Sequence, residues 1–343
     1  MKIGDRQIGP GHSPYIIAEI GVNHDGSVER AIELVDSAAQ AGADAIKLQL
    51  FETDRLMSAA ARLAAYQRSA GERDPLAMLR RLELDVEQMR AIVQRAHGAG
   101  VHAIVTVFST ELVEPARTLG WDAFKSASPD IVHRPLLLAM AHVGLPLIVS
   151  TGAATLEEVT RAVGWLNDHR SRLALLQCVS SYPTPDASAA LGGIASIAQA
   201  TGLPTGYSDH AASPDTGALA VAAGACILEK HLTYDRRAAG PDHSASLEPD
   251  GFAEYVRLAR RARIMLGRGG KQVLPIEEDV RAVSRQSLTA ARALPVGHIL
   301  GAGDLTAKRP GGGFEPWKVQ EVVGRRLTRA VGADEQLNQG DLA

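Results

Sequence analysis

Cysteine is scarce in this chain, two residues in 343, and Cys178 and Cys226 stand too far apart for a clustered metal motif or a disulfide framework. Both read as small core or near-site residues. Long apolar runs are missing too. The longest, ALAVAAGACIL, is too short to span a bilayer, and the opening MKIGDRQIG lacks the apolar stretch of a signal peptide, so a cytoplasmic protein without membrane contact is expected. Nor is positive charge in excess. With 36 lysines and arginines against 39 aspartates and glutamates, net −3, no basic face is left for sequence-independent nucleic-acid binding, and any bound anion should be small and locally held. What remains, 45% hydrophobic and 22% charged residues, is ordinary globular composition.

Six times a helix-like segment ends in glycine and a short apolar run follows: AGADAIKLQL, GAGVHAIVTVFS, LGWDAFKSAS, VGLPLIVSTG, TGLPTGYSDH and AAGACILEKH. Read as helix cap, short loop and buried parallel strand, the pattern is that of an α/β chain building a (β/α)8 TIM barrel, which takes about 250 residues. Strands are expected near 16, 44, 101, 122, 146, 172, 204 and 226, with eight helices between and after them. Ser27 is the N-cap candidate of the first helix, over 27–41, and KIGDRQIG reads as a hairpin plugging the barrel bottom. Between Phe51 and Leu84 an insertion interrupts the repeat on the top face, as a lid, a specificity element or a surface decoration. The barrel domain is expected over 1–275, a charged linker over 276–286, and a small β-rich module over 287–343, with strand-like runs SLTAARAL, HILGAGDLTAKR and VVGRRLTRAV.

This topology stacks Lys47, Gln49, Thr106, Lys125, Ser150, Ser208, His210, Glu229 and His231 at strand C-terminal ends, the face that carries the active site in barrels of this kind. His210 and His231 close adjacent strands, about 4.8 Å apart, so they either converge on one metal ion in an open nitrogen site or stand as hydrogen-bonded pocket histidines. Mn, Mg, Co and Zn all suit such a site. Lys47 and Lys125 lie in apolar runs, where an ammonium is costly to bury unmatched. With the hydroxyls of Thr106, Ser128, Ser150 and Ser208 they form a cradle for a phosphate and a carboxylate, or they pair with local carboxylates, or one is a Schiff-base lysine. Glu19 orients a hydroxyl, moves a proton, or bridges to Lys47; Asp242 follows the last strand beside Pro241 as a loop residue; Lys308 and Arg309 precede three glycines and suit a reaching finger.

Taken together, IIAEIGVNHDGS, AGADAIKLQLF, IVSTGAATLEEV, SSYPTP, GYSDHAASP, LEKHLT, GPDHSASLEP and AKRPGGG resemble the bacterial sialic acid synthase family over nearly the whole chain. The resemblance implies a TIM barrel followed by an SAF, or antifreeze-like, domain. It implies condensation of phosphoenolpyruvate with an open-chain N-acyl amino sugar, giving a nonulosonic acid and phosphate. His210 and His231 match the family's metal ligands, described with manganese or magnesium. Lys47, Thr106, Lys125, Ser128, Ser150 and Ser208 match its phosphoenolpyruvate contacts, and Gln49 stands close to the reacting groups. Glu19 and Asp242 match carboxylates that hold the amino sugar, and Tyr182 a pocket aromatic. Arg309 matches an arginine that reaches the other subunit's barrel in a domain-swapped homodimer. There are departures. Ser180 stands where asparagine is usual, Gln177 where histidine is, and KSASPD replaces a Gly-Ser-Gly-Glu ending, making Asp130 a shortened glutamate. The insertion is similar to that of diacetyllegionaminate synthases as much as to that of N-acetylneuraminate synthases.

Overall fold

Each of the six glycines that end those helices, at 42, 100, 120, 144, 202 and 224, has a positive φ, a backbone state that lets the chain turn off the helix and enter a strand within a few residues. The computed structural model describes residues 1–267 and 269–343 and divides the chain into two compact units, Met1–Arg268 and Gly269–Ala343. In the first, a hairpin of β1 (Lys2–Ile3) and β2 (Arg6–Gln7) precedes the barrel strands β3 (Tyr15–Glu19), β4 (Ala45–Leu50), β5 (His102–Val107), β6 (Ala123–Ser126), β7 (Leu147–Ser150), β8 (Leu173–Cys178), β9 (Thr205–Asp209) and β10 (Ile227–His231). All neighbours pair in parallel, and β10 pairs with β3 to close the barrel.

Alternation along the strands sorts two cores. Ile16, Ile46, Val105 and Phe124 face outward onto the helices. Ile17, Ala45, Ile104, Ala123 and Ile148 face inward and are met from below by Ile3 and Ile8, so the expected hairpin plug is there. Helices occupy the expected places. Ser27 caps Val28–Gln40 by accepting from Arg30 N at 3.2 Å, and Asp85 and Thr155 close capping boxes on Val86–Gly98 and Leu156–Trp165. The insertion folds into three short helices, Thr53–Leu56, Ala65–Ser69 and Pro75–Leu82; Met78 and Leu82 pack with Val22, Phe51 and Phe108 over the barrel's top face. No described helix is long and apolar enough to cross a membrane.

The second unit has a small core of Leu288, Ala290, Leu294, Leu300, Val322, Leu327, Val331, Leu337 and Leu342. Its one ladder is antiparallel, β11 (Ser287–Ala290) with β12 (Leu305–Lys308). VVGRRLTRAV, expected as a strand, makes only isolated bridges, at Arg326, Leu327 and Val331, after a short helix that ends at Val322 and a turn at Gly324 with φ +87°. The segment expected as a linker over 276–286 belongs to this unit and carries a helix, Glu278–Ser284, behind a turn Pro275–Glu277. Its charges are a helix start: proline leads the turn, Glu277 accepts from Leu274 N at 2.8 Å, and Glu278 and Asp279 sit in the first helical turn.

Asp304 accepts from His298 Nε2 at 2.7 Å, Gly301 N at 2.9 Å and Arg292 Nη2 at 2.6 Å, and these donors hold its carboxyl down to about 2. A depressed folded value stabilises at pH above the unfolded value of 3.8 and loses that contribution as pH falls toward about 2. In melts of the whole protein, Asp304→Asn should therefore lower the melting temperature of residues 285–343 at neutral pH, and the gap from the unsubstituted protein should close across that window. A gap indifferent to pH would remove the carboxylate from the account.

Candidate active site

Barrel register decides which side chains meet. Glu19 of β3 lies opposite Lys47 of β4 on one side and His231 of β10 on the other; Thr106 of β5 lies between Gln49 and Lys125; Ser208 of β9 lies opposite Glu229. These residues line one cavity of about 380 Å³ at the strand C-terminal ends, within the range of about 300–1,000 Å³ usual for small-molecule sites. Every candidate residue from the sequence lines it except Asp130, Lys308 and Arg309. Asp130 sits two positions beyond Ser128 in a short turn, where burial pushes its carboxyl up to about 6. Arg309 lies on an exposed loop of the second unit.

Both lysines are buried, and each is matched by a carboxylate, the local-pairing arrangement among those the sequence left open. Lys47 pairs with Glu19 and donates to Thr106 Oγ1 at 3.0 Å; Lys125 stands 3.3 Å from Glu229 Oε1. Ser208 also donates to Glu229 Oε1, at 2.9 Å, while Oε2 of that residue is buried without a partner. Burial drives Lys47 down, to about 7, and Lys125 adds to the push against the pull of Glu229. Burial also opposes ionisation of Glu229, but Lys125 and Lys47 outweigh it and hold that carboxyl low. Beside them Ser128 donates to Ser150 Oγ at 2.9 Å and accepts from Gly152 N at 3.0 Å. Gly152 is needed there: a Cβ would fall 2.4 Å from Ser180 Oγ and 2.8 Å from Ser128 Oγ.

The imidazoles of His210 and His231 have ring centroids 5.4 Å apart. His210 Nδ1 donates to Val179 O at 2.8 Å, which leaves Nε2 as the nitrogen free to face a ligand; burial opposes a charged ring, but Cys178 and the Val179 carbonyl outweigh it and raise the His210 pKa. His231 Nδ1 is buried without a hydrogen bond, 3.7 Å from Asp242 Oδ2. Burial, then His210 and Lys47, keep His231 far below its ordinary pKa, so it is the neutral ring that a metal needs. Among the described residues no third His, Cys, Asp or Glu comes close enough to complete a protein cage. Two nitrogens with an orphaned lone pair fit an open site, not a structural one. Behind the rim, Asp209 and Lys230, both fully buried and 3.4 Å apart, tie the two histidine-bearing strand ends together.

A model of the NeuB family matches residues 34–271, and one of the SAF domain matches residues 285–343. The chain belongs to the NeuB family. It is 36% identical over 330 residues to an N,N'-diacetyllegionaminic acid synthase of Legionella pneumophila, covering 94% of this chain and 93% of that one. It is similar at 31% over 341 residues to human N-acetylneuraminate-9-phosphate synthase, covering 97% and 93%. The solved N-acetylneuraminic acid synthetase of Leptospira borgpetersenii, in complex with citrate, superposes with a TM-score of 0.75 at 32% identity, over 82% of this chain and 94% of that one.

Against the NeuB pattern, the departure at Gln177 does not reach the cavity: its amide donates to Ala190 O on the other face of β8. Ser180 does line it. Glu229, Cys178, Phe108 and Tyr66 also line the cavity, with no chemistry assigned to them from the sequence. Glu229 was placed at a strand end, but only pairing shows what it does. Cys178 faces the cavity with Sγ 3.9 Å from His210 Nδ1; burial raises the thiol, yet His210, Ser128 and Lys125 bring it down to about 7. Phe108 and Tyr66 supply apolar wall. Tyr66 comes from the insertion and stacks on Tyr182 at 4.7 Å, and Tyr182 in turn lies 4.0 Å from the His210 ring. A tyrosine in a top-face insertion was the one legible signal of this.

Removing one member of a buried ion pair costs about 3–5 kcal/mol, whereas replacing both by apolar groups of similar size is often neutral. Glu229→Gln should therefore lower the barrel's melting temperature markedly, and adding Lys125→Met should restore most of the loss. Equal and additive losses in the double variant would mean the pair is not an energetic unit.

Proposed function

We propose that this cavity joins phosphoenolpyruvate to an open-chain N-acyl amino sugar of the N-acetylmannosamine type, releasing a nonulosonic acid and phosphate. The observation that carries the reading is that two buried lysines, each beside a carboxylate, and two histidines line one small cavity. Lys47 and Lys125, with the hydroxyls of Thr106, Ser128, Ser150, Ser180 and Ser208, take the donor's phosphate and carboxylate. His210 and His231 are the residues to hold a divalent cation, manganese first, with magnesium, cobalt and zinc as alternatives, and such an ion supplies Lewis-acid polarisation of the acceptor's carbonyl. Glu19 and Asp242 orient the acceptor's hydroxyls, and Glu19 is the group assigned to proton transfer. Gln49 Nε2, 3.4 Å from Glu19 Oε1 and 3.2 Å from Gly21 O, steadies that carboxylate. Tyr182 and Tyr66 offer the acyl group an apolar wall.

Held side by side, the donor's C3 bonds to the acceptor's carbonyl carbon. Water adds at C2, and the C2–O bond then breaks, so the bridging oxygen leaves with phosphate. Fixing two reactants in one cavity contributes up to about 7–11 kcal/mol to such a step. A second acceptor reading, a diacetamido-6-deoxy sugar as in diacetyllegionaminate or pseudaminate synthesis, is favoured by the identity to the Legionella synthase and by the apolar Tyr66–Tyr182–Phe108 wall. A phosphorylated acceptor is disfavoured, since the described lining offers no arginine or third lysine for another phosphate. Arg309 is assigned to the cavity of a second copy in a domain-swapped homodimer, in the cytoplasm. Ile276, Val280 and Val283 of the second unit, all exposed, offer apolar surface for that copy.

The deciding experiment scores phosphate release and product mass over N-acetylmannosamine, diacetamido-6-deoxy sugars and phosphorylated sugars. Phosphate and a new acid should form with one of the first two classes; ligand binding without phosphate release would leave a sugar-binding protein instead. Chelation should abolish turnover and Mn(II) restore it, and full activity in excess chelator would remove the metal. Mixing inactive Arg309→Ala and Lys47→Ala chains should regenerate active mixed dimers. No recovery despite proven subunit exchange would count against a shared site.

A further inference from the structure

Asp242 is carried by a loop, yet it is aimed into the cavity by residues that do not touch its carboxylate. The loop leaves β10, the strand that closes the barrel against β3, and the segment following β3 reads GVNHDG. Asn23 Nδ2 donates to Leu232 O at 2.9 Å and to Ser246 Oγ at 2.8 Å, and Ser246 Oγ donates to the carbonyl of Asp242 at 2.7 Å. A second chain runs in parallel. Thr233 Oγ1 lies 2.7 Å from His243 Nδ1, and His243 Nε2 lies 3.0 Å from Asp25 Oδ1. The carboxylate only accepts, so Nε2 carries the hydrogen that meets Asp25, and Nδ1 is the nitrogen partnered by the threonine. Asp25 Oδ2 is itself fixed by Tyr234 OH at 2.8 Å and Arg30 Nη1 at 2.6 Å.

Asn23, Thr233, His243 and Ser246 are buried to 1% exposure or less, and neither they nor Asp25 line the cavity. Asp242, one residue before His243, does. Fit is tight: a Cβ at Gly240 would fall 2.7 Å from the His243 ring. The opposing segment bears strain, since Val22 at φ 57° and Asp25 at φ 52° both occupy the left-handed region, which a β-branched residue adopts only when its surroundings over-determine it.

We infer that Asn23, Asp25, Thr233, His243 and Ser246 form a clamp across the barrel seam whose task is to position Asp242 for the acceptor sugar. They are positioning residues, and the inference rests on the proposed reading of Asp242 as an acceptor contact. The donor's lysines lie on strands, outside the clamp, so the two substrates should respond differently.

The test uses the full chain with Thr233→Val, which is nearly isosteric and buried, and with Asp25→Ala and Asp25→Asn. In Thr233→Val and Asp25→Ala the KM for the acceptor should rise about ten- to a hundred-fold, the scale of a small misplacement of a contact group, with the KM for phosphoenolpyruvate unchanged. Asp25→Asn, whose Oδ1 still accepts from His243, should recover part of the loss. Equal rises in both KM values, or unchanged kinetics in Thr233→Val, would overturn the clamp. Hydrogen exchange separates this from failure of the functional reading. If the unsubstituted protein turns over none of the substrates, the variants should still exchange faster at residues 235–246 and not at residues 102–107. Identical exchange in Thr233→Val would defeat the clamp whatever the reaction is.

Discussion

Two ammoniums inside a barrel are the constraint from which the rest follows. An unmatched charge moved out of water costs several kcal/mol even after the protein relaxes, so Lys47 and Lys125 can stand at the mouth only where carboxylates stand beside them. Barrel register supplies these: β3 against β4 brings Glu19 to Lys47, and β9 against β10 brings Ser208 to Glu229, which reaches Lys125. A slip of one residue in any of these strands would turn its polar side chain into the helix layer and its apolar neighbour into the cavity. The electrostatics of the mouth and the packing of Ile16, Ile46 and Phe124 beneath the helices are thus one requirement met twice.

The cavity is built in two ways. On the proposed reading, most of the donor's contacts, Lys47, Thr106, Lys125, Ser150 and Ser208, stand on strands, on backbone held by continuous ladders. Of the residues proposed for the acceptor, Glu19 ends β3, whereas Asp242 after β10, Tyr182 after β8 and Tyr66 from the insertion lie off the strands. Loops tolerate substitution better than strands, so chemistry anchored on strands can persist while the sugar varies. None of the departures noted in the sequence places a changed side chain on a strand and in the cavity. Ser180 and Asp130 lie past strand ends, and the strand residue Gln177 points out of the cavity.

Legibility followed the range of the interactions. Period and punctuation are local, so the glycine-ended helices, the Ser27 cap, all eight barrel strands and the hairpin plug could be read directly. The same alternation assigned Lys47, Lys125, His210 and His231 to one rim. Pairings across the barrel were not legible. Nothing in LEKH says whether Glu229 meets a lysine, and Tyr66 is one aromatic in a polar insertion until the chain folds back over Phe51 and Phe108. PIEEDVRAVS was read as a linker from its charge, although proline followed by acidic residues is also how a helix begins. Asp25 and His243 look like turn residues because their partners lie some two hundred positions away.

Charge balance links the donor half to the histidines. Glu19 and Glu229 already answer Lys47 and Lys125, so the pairs bring little net charge to the mouth. An enol phosphate with its carboxylate would enter carrying roughly three negative charges, the phosphate's second ionisation lying near pH 6 as in phosphorylated side chains. In so enclosed a site this charge must be met, and the lysines alone can meet it only by giving up partners whose removal leaves other charges buried. Two histidines beside the pairs, one of them, His231, a neutral ring with an unpartnered nitrogen, offer the alternative of a cation entering together with the donor. On the proposed reading, the pocket's near-neutrality and its open nitrogen site are the same design, in which the lysines fix the geometry of the anion and the incoming cation balances its charge.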